Sequence, residues 1–299
     1  MKRLLICTFL LAGLFIACNE DKTKDTSIRD ELEAEAVRLE QEYELALHEG
    51  VSHDDSAALM RDSMSDFPID PVLEMKLNAQ AFEDSIKSIY KTIDLEPLKL
   101  PFEVFRLGMI GYYNIRMDGE LRDRQLLTLI DFTQSSCDKR FYTLDLDSMD
   151  VLFNTYVAHG RNTGGNFASS FSNINGSNQS SLGFFVTAET YVGSKGYSMR
   201  MDGKEVGIND KVRERAVVMH NAKYVSEDWI NKYGRLGRSQ GCPALPEGIS
   251  REVIDSIKNG TVMFAYFDDT TYLKASSYLD LDRLMQGGEI KPDSLVTTP

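Results

Sequence analysis

The order of apolar and polar positions divides the chain into a helical N-terminal part and a strand-rich remainder. Over residues 71–93 apolar side chains recur every three or four positions, which is the period of an amphipathic helix. The same pattern predicts a helix over 102–113, and strong helix formers with a narrow apolar stripe predict one over 30–49. Pro68 and Pro71 cannot continue this first helix, so we expect a tether between it and residue 71.

From about residue 125 the pattern changes to short runs rich in Val, Ile, Thr, Tyr and Phe, separated by Gly, Asn, Asp and Ser. These runs predict strands over 126–132, 140–145, 151–158, 183–191, 197–202, 216–220 and, as the closing strand, 262–267. The polar stretch 145–150 predicts a hairpin connection, and Asp202-Gly203 predicts a tight turn. With short helices over 226–233 and 250–259, the pattern favours a mainly β domain of sandwich or barrel type. The N-terminal helices make the whole chain α+β.

Charge is concentrated before the strands. Of the formal net charge of −13, residues 19–100 carry −12, from 21 acidic and 9 basic side chains. A nucleic-acid-binding surface needs clustered Lys and Arg to neutralise phosphates. The charge distribution therefore argues against nucleic acid as a partner and makes the tether acidic.

The N-terminus indicates the compartment. Lys2 and Arg3 precede an uncharged run over residues 4–16 that is too short to span a bilayer, which is typical of a signal peptide. The run ends in Ala17-Cys18 and resembles the lipobox of bacterial lipoproteins, which implies lipidation of Cys18 and membrane attachment through acyl chains. We expect a protein of the cell envelope, on the periplasmic side of the outer membrane, with the cell surface and an ordinary signal peptide as the alternatives.

Cysteine usage leaves two thiols to explain. Removal of Cys7 with the signal peptide and lipidation of Cys18 leave Cys137 and Cys242 in an oxidising compartment. A disulfide between them would block Cys242. Otherwise, a free thiol outside the cytoplasm is expected to be buried or functional, and Cys137, in a polar turn with no nearby histidine in the sequence, is the incidental one.

The candidate chemistry lies in Ser239-Gln240-Gly241-Cys242, which follows His220 by 22 residues. An imidazole that accepts the thiol proton turns cysteine into a nucleophile for acyl carbon, and Gly241 permits the tight turn that would present it. Two simpler interpretations remain: a buried apolar cysteine with a core histidine, or a zinc site of His159, His220 and Cys242, which lacks short ligand spacing. We therefore predict no metal.

A second polar element follows the strand predicted over 151–158. It contains His159, Arg161 and Asn162, and it leads into a polar stretch over 166–182 that is too long for a plain hairpin. Long polar loops of this kind are commonly lids or binding loops. We expect this stretch to take part in binding.

The segments VAHGRNTG, FSN, QSSLGFF, RAVVMHNA, YVS and GRSQGCPAL, within residues 111–246, resemble the murein L,D-transpeptidase catalytic domain family (YkuD-like), in its Bacteroidetes-type branch. The resemblance implies a β-sandwich-like catalytic domain in which Cys242 is the nucleophile and His220 the base. It also implies that the backbone carbonyl of Asn221 orients the imidazole and that the N–H groups of Gly241 and Cys242 receive the oxyanion. No cofactor is implied.

The same resemblance implies acyl transfer on peptidoglycan stem peptides. The thiolate attacks the third residue of a tetrapeptide, D-Ala leaves, and an amine resolves the thioester. The sequence departs from the family pattern at Gln240 and Pro243-Ala244, where His and a downstream Asn or Arg are usual. We therefore expect Arg238 or Arg161 to bind the substrate carboxylate, with Ser239, His159 and Asn162 also contacting substrate.

Other activities share these residues. Water as acceptor would give an L,D-carboxypeptidase, and the same pair could serve a cysteine peptidase, although papain-like enzymes place cysteine before histidine. An inactive, lipid-anchored peptidoglycan-binding protein is the non-enzymatic alternative. The predicted organisation is a signal peptide (1–17), an acidic tether with one helix (18–70), a helical extension packed on the catalytic domain (71–124), the catalytic domain (125–275) and a C-terminal tail (276–299).

Overall fold

The computed structural model describes residues 71–286, with the exception of 120 and 123. The predicted signal peptide, Cys18, the helix over 30–49 and the acidic tether lie outside these residues. Among the helices in 71–286, none has the length and apolar character that crossing a membrane requires.

Two helices precede the sheet and confirm the predicted N-terminal helical region: α1 (Pro71–Ile93) and α2 (Phe102–Met117). Helix α2 lies directly on the sheet because it carries glycine where the two surfaces meet. A Cβ on Gly111 would lie 2.0 Å from the ring of Phe184, and one on Gly108 would lie 2.5 Å from the side chain of Leu129. The helical extension therefore shares one core with the strands.

Eight strands form one mixed sheet in the order β3-β2-β1-β8-β4-β5-β6-β7. Their bounds are β1 Leu126–Asp131, β2 Phe141–Asp145, β3 Asp150–Thr155, β4 Gly183–Gly193, β5 Gly196–Gly203, β6 Val218–Asn221, β7 Ala244–Leu245 and β8 Val262–Tyr266. The pairs β1–β8 and β6–β7 are parallel, and the other neighbours are antiparallel.

The two ends of this sheet meet. Beyond β3 the chain reaches Ala158, whose N–H donates to Ala244 O in β7 at 2.9 Å, while the Ala244 N–H donates back at 3.4 Å. This exchange brings the edge strands together and makes the sheet nearly a closed barrel. It also places the polar element after β3 beside the residues that precede β7.

The predicted mainly β class is confirmed, and two details differ. Strand β8, expected to close the domain, lies in the middle of the sheet between β1 and β4, with all five residues buried. The predicted turn at Asp202-Gly203 is wrong, because both residues belong to β5 and the hairpin turn lies between Gly193 and Gly196. Gly203 instead allows a close backbone approach, since a Cβ there would lie 2.0 Å from Asn209 O.

Short helices complete the domain: α3 (Glu227–Tyr233), α4 (Ser250–Ile257), α5 (Thr270–Ala275), a 3-10 turn (Ser277–Leu279) and α6 (Leu281–Gln286). The beginning of the segment predicted as a C-terminal tail is thus helical. The buried carboxylate of Glu205 anchors this region: it accepts from the N–H of Phe184 at 2.7 Å, from the Tyr272 hydroxyl at 3.3 Å and from the Ser276 hydroxyl. Burial raises the pKa of Glu205.

Candidate active site

His220 is held in one orientation by its own strand. It lies in β6 with 4% of its surface exposed, and its Nδ1 is 2.7 Å from the carbonyl oxygen of Asn221. A carbonyl can only accept, so Nδ1 carries the hydrogen and Nε2 carries the lone pair. Burial lowers the pKa of His220 below 6.5, the nearby Lys195 lowers it further, and the Asn221 carbonyl opposes both. The imidazole is therefore a neutral acceptor at neutral pH.

Cys242 is brought to His220 by the parallel pairing of β6 and β7. In this register His220 lies opposite Ala244, so Val218 lies opposite Cys242. The ladder bonds run from His220 N to Pro243 O at 3.4 Å and from Ala222 N to Leu245 O at 2.9 Å. One step back, the Val218 N–H donates to the sulfur of Cys242 at 3.4 Å. The thiol thus occupies a position in the ladder that a backbone carbonyl would normally hold.

The turn before Cys242 requires glycine. Gly241 has φ of 121°, and a Cβ at this position would lie 2.7 Å from the carbonyl oxygen of Gln179. The carbonyl of Gly241, which would be the next acceptor in the β6–β7 ladder, accepts instead from the Ser180 hydroxyl at 3.1 Å. The turn therefore frees the Val218 N–H for the sulfur.

The hydroxyl of Ser239 holds the backbone of this turn through two hydrogen bonds. Its Oγ accepts from the Gly241 N–H at 3.1 Å and donates to Cys242 O at 2.6 Å. The residue is 6% exposed. The substrate contact of Ser239 stays a prediction, and in the structure its hydroxyl holds the backbone of the cysteine turn.

The same contact changes the expectation for the oxyanion site. The Gly241 N–H is engaged by Ser239, whereas the Cys242 N–H has no acceptor among the residues that the structure describes. Of the two N–H groups expected to receive an oxyanion, only that of Cys242 is available.

The Cys242 thiol, which is half-buried, needs help to ionise. Burial raises its pKa, and three groups oppose this effect by favouring the thiolate: the Val218 N–H, Arg215 and Lys195. No hydrogen bond joins the sulfur to His220 in the described chain, and the second contact of the sulfur is Ala216 O at 3.9 Å. Catalytic contacts of this kind are commonly long before substrate binds.

His159 and Arg140 form a buried, hydrogen-bonded pair. Arg140 is fully buried and donates to His159 Nδ1 at 2.7 Å, and His159 Nε2 donates to Gly165 O at 3.1 Å. Burial, with the charge of Arg140, lowers the pKa of His159 to about 4. Both ring nitrogens are occupied within the protein, which favours a structural role for His159 and gives the zinc alternative one ligand fewer. The substrate contact of His159 stays a prediction.

Three predicted substrate residues lie at the surface beside the cysteine turn. Arg161 donates its backbone N–H to Ser239 O at 2.8 Å, which places it next to the turn. Arg238 Nη1 is committed to the carbonyls of Arg161 (3.1 Å) and Gly164 (2.9 Å), and Asn162 donates to Ser177 O at 2.8 Å. The guanidinium of Arg161 has no partner within the described residues, so it is the cation left open to a ligand.

Arg215, directly before the strand predicted over 216–220, is a residue of this site that the sequence did not single out. Its guanidinium contacts the polar stretch over 172–181 and lies beside Gly241. The signal that could have identified it is a cation five residues before His220, at the edge of an apolar run.

The two cysteines of the domain are free. Cys137 Sγ lies 3.5 Å from Gly234 O and 3.6 Å from Asn166 Oδ1, away from β6. The disulfide alternative is therefore not realised, and Cys242 is unblocked.

A family model described as the L,D-transpeptidase catalytic domain matches residues 96–266, more than half of the 299-residue chain. The match covers α2 and all eight strands and confirms the resemblance seen in the sequence. Among solved structures, an L,D-transpeptidase from Mycobacterium smegmatis is similar with a TM-score of 0.31 and 13% identity, over 48% of this chain and 59% of that chain. The helical cell shape determining protein Pgp2 from Campylobacter jejuni is similar with a TM-score of 0.34 and 12% identity, over 59% and 60%.

The chain thus spans about three fifths of the length of these solved proteins. A comparison with curated proteins gave no match. The family assignment rests on the family model.

Proposed function

The chain belongs to the L,D-transpeptidase catalytic domain family, and from this premise we propose that it catalyses cysteine-dependent acyl transfer on peptidoglycan stem peptides. The observation that carries the proposal is the β6–β7 register, which brings Cys242 beside a strand whose His220 is fixed with its Nε2 lone pair available. A nucleophile, a base and a group that orients the base are the elements such catalysis needs.

In the proposed first step, the thiol proton passes to His220 Nε2 as the sulfur bonds to the carbonyl carbon of the third stem residue. The carbon–nitrogen bond to D-Ala then breaks, and the protonated imidazole returns the proton to the leaving amine. A thioester on Cys242 remains. The Asn221 carbonyl stabilises the imidazolium that forms between these two proton transfers.

The tetrahedral oxygen requires hydrogen-bond donors. We assign the Cys242 N–H as the donor to this oxygen, because the Gly241 N–H already donates to Ser239 Oγ. Loss of one such donor typically costs on the order of 3 kcal/mol of transition-state stabilisation. The peptide that carries this N–H is held at its carbonyl by the Ser180 hydroxyl, which donates to Gly241 O, and Ser239 holds the peptides on either side of it.

We assign the substrate carboxylate to Arg161. Its guanidinium is exposed, unpaired within the described part of the chain and adjacent to the cysteine turn through the bond from its N–H to Ser239 O. A guanidinium binds a carboxylate through two parallel hydrogen bonds. Arg238 supports the turn that carries Arg161.

The acceptor decides the product. An amine of a neighbouring stem gives a crosslink and makes the enzyme a murein L,D-transpeptidase, whereas water gives an L,D-carboxypeptidase. The free thiol and the neutral His220 favour either enzymatic activity over an inactive peptidoglycan-binding protein.

The test uses the purified full chain with a disaccharide tetrapeptide, followed by mass spectrometry. We expect loss of D-Ala, an acyl adduct on Cys242 and crosslinked dimer, and the ratio of dimer to tripeptide separates transpeptidase from hydrolase. Cys242→Ala should abolish turnover, and Cys137→Ala should retain it. Intact substrate without adduct, in a folded protein, would leave the binding-protein alternative.

We also propose that the mature protein is anchored in the cell envelope through lipid on Cys18, with its catalytic domain facing peptidoglycan. The support is the basic N-terminus, the uncharged run and the small residue before Cys18. Metabolic labelling with a fatty acid should label the wild type and not Cys18→Ser. A protein that is cleaved elsewhere and carries no label would contradict the anchor.

A further inference from the structure

The guanidinium of Arg215 makes hydrogen bonds to several residues of one segment of the long polar loop. Its Nη1 donates to Ser172 O at 2.6 Å and to Ser181 Oγ at 2.5 Å. Its Nη2 donates to Gln179 O at 2.7 Å and to Ser177 Oγ at 3.2 Å. A single guanidinium therefore holds both ends and the middle of residues 172–181.

The same segment packs against the cysteine turn. The Ser180 hydroxyl donates to Gly241 O, and Gln179 O lies 2.7 Å from the position that a Cβ of Gly241 would take. Arg215 Nη2 lies 3.6 Å from that Cβ position. On its other side, the sulfur of Cys242 contacts the backbone of Ala216 and Val218, which follow Arg215 in the chain. Arg215 thus lies between the loop and the nucleophile.

Among residues 71–286, as far as the structure describes them, no carboxylate neutralises the charge of Arg215. Its four acceptors are two carbonyls and two hydroxyls, and its Nε is buried without a partner in the described chain. Arg215 is half-buried, and a cation withdrawn from water is normally paired with an acid. Arg213, two residues earlier and at the surface, does pair with acids, namely Asp202 and Glu189. The anion that Arg215 lacks is one that the proposed reaction would create.

We propose that Arg215 is a positioning residue of this site: it ties residues 172–181 to the turn of Cys242 and keeps an unpaired positive charge beside the sulfur. The inference rests on the proposed function, because the thiolate is the partner it assigns. Lys195 in the β4–β5 turn, Tyr224 after β6 and Arg215 itself interact electrostatically with the thiol. His220 lies in β6 two residues beyond Val218, whose N–H donates to the sulfur. Arg215 and Lys195 lower the pKa of Cys242, and Cys242 in turn raises that of Arg215 against its burial.

The experiment measures the rate of iodoacetamide alkylation of Cys242 against pH, in the full chain carrying Cys137→Ala, with turnover of the tetrapeptide and thermal unfolding recorded for each variant. R215Q removes the charge. Loss of a positive charge that favours the thiolate should raise the midpoint, and a rise of about one unit slows alkylation below the wild-type midpoint about tenfold. The surface control R213Q should leave the midpoint unchanged.

R215K separates charge from tethering. One ammonium keeps the charge but cannot bond all four acceptors, so we expect a midpoint near that of the wild type and several-fold lower turnover. A folded R215Q with the wild-type midpoint overturns the proposal, as does R215K with a displaced midpoint or undiminished turnover. If R215Q does not fold, the alkylation midpoint and the turnover of R215K alone test the proposal.

These outcomes are distinct from failure of the proposed function. A wild-type thiol that reacts as slowly as in His220→Ala, with no turnover, would contradict the acyl-transfer proposal itself. A reactive wild-type thiol that is insensitive to residue 215 would contradict only the role of Arg215.

Discussion

The backbone N–H of Val218 donates to the sulfur of Cys242 at 3.4 Å, in the place where the β6–β7 ladder would have a carbonyl acceptor. A sheet position is rigid, so this contact sets the depth of the thiol relative to His220, two residues further along β6. The N–H also favours the thiolate over the thiol. The nucleophile is thus held by the fold itself and not by a side-chain partner.

His220 should act as the base, and its lowered pKa should set the acid limb of the pH profile. Its pKa is lowered below 6.5, so the imidazole stays neutral down to that lowered value, and activity is lost as pH falls through it. We expect the midpoint of the acid limb of kcat/KM to lie below pH 6.5. His220→Ala should lower turnover by roughly 100-fold or more and slow alkylation of Cys242. An acid limb above pH 7 would contradict this assignment.

Gly241→Ala should damage both stability and catalysis. The φ of 121° strains any residue with a Cβ, and the added carbon would lie 2.7 Å from Gln179 O. We expect a loss of about 1–3 kcal/mol in the free energy of unfolding, measured by denaturant titration, and a much reduced kcat. Gly165→Ala is the matched control, because a Cβ there meets no atom within 4 Å. Equal effects of the two substitutions would rule out the proposed strain.

His159 should make stability depend on pH without serving catalysis. In the folded protein its pKa is about 4 against 6.5, so between these values the unfolded chain binds a proton that the folded chain does not. Stability from this group therefore falls as pH decreases from about 6.5 to 4, by up to about 3 kcal/mol. His159→Gln should remove this component from unfolding curves measured across that range and leave the acid limb of kcat/KM in place. A shifted limb would point to a catalytic role.

Arg161→Gln should weaken binding of the donor stem through its terminal carboxylate. Loss of a charge-assisted contact worth about 1.5–3 kcal/mol predicts a rise in KM of roughly tenfold or more. A tetrapeptide with an amidated C-terminus lacks the carboxylate, so the wild type and Arg161→Gln should bind it alike. If the substitution weakened both substrates equally, Arg161 would be supporting the turn and not binding the carboxylate.

Much of the scaffold follows from local patterns. The period of apolar residues predicts α1 and α2, and runs of β-branched and aromatic residues predict seven of the eight strands. Strand β7 escapes such patterns because it has only two residues, Ala244 and Leu245, and exists through its pairing with β6. Gly203 misleads for a related reason: the glycine is required by the close approach of Asn209, from the turns that follow β5, and not by a turn at Gly203 itself.

By itself the sequence determined the strand carrying His220, the glycine turn before Cys242 and the family to which they belong, because these depend on residue type and near spacing. Only the tertiary structure decided that Ser239 and His159 face inward, that Arg161 faces outward and that Arg215 meets the loop over 172–181. The physical reason is that a polar side chain has the same sequence signature whether its partner is substrate or a backbone carbonyl brought to it by folding. Which partner it finds is set by the closure of the sheet, where Ala158 meets Ala244.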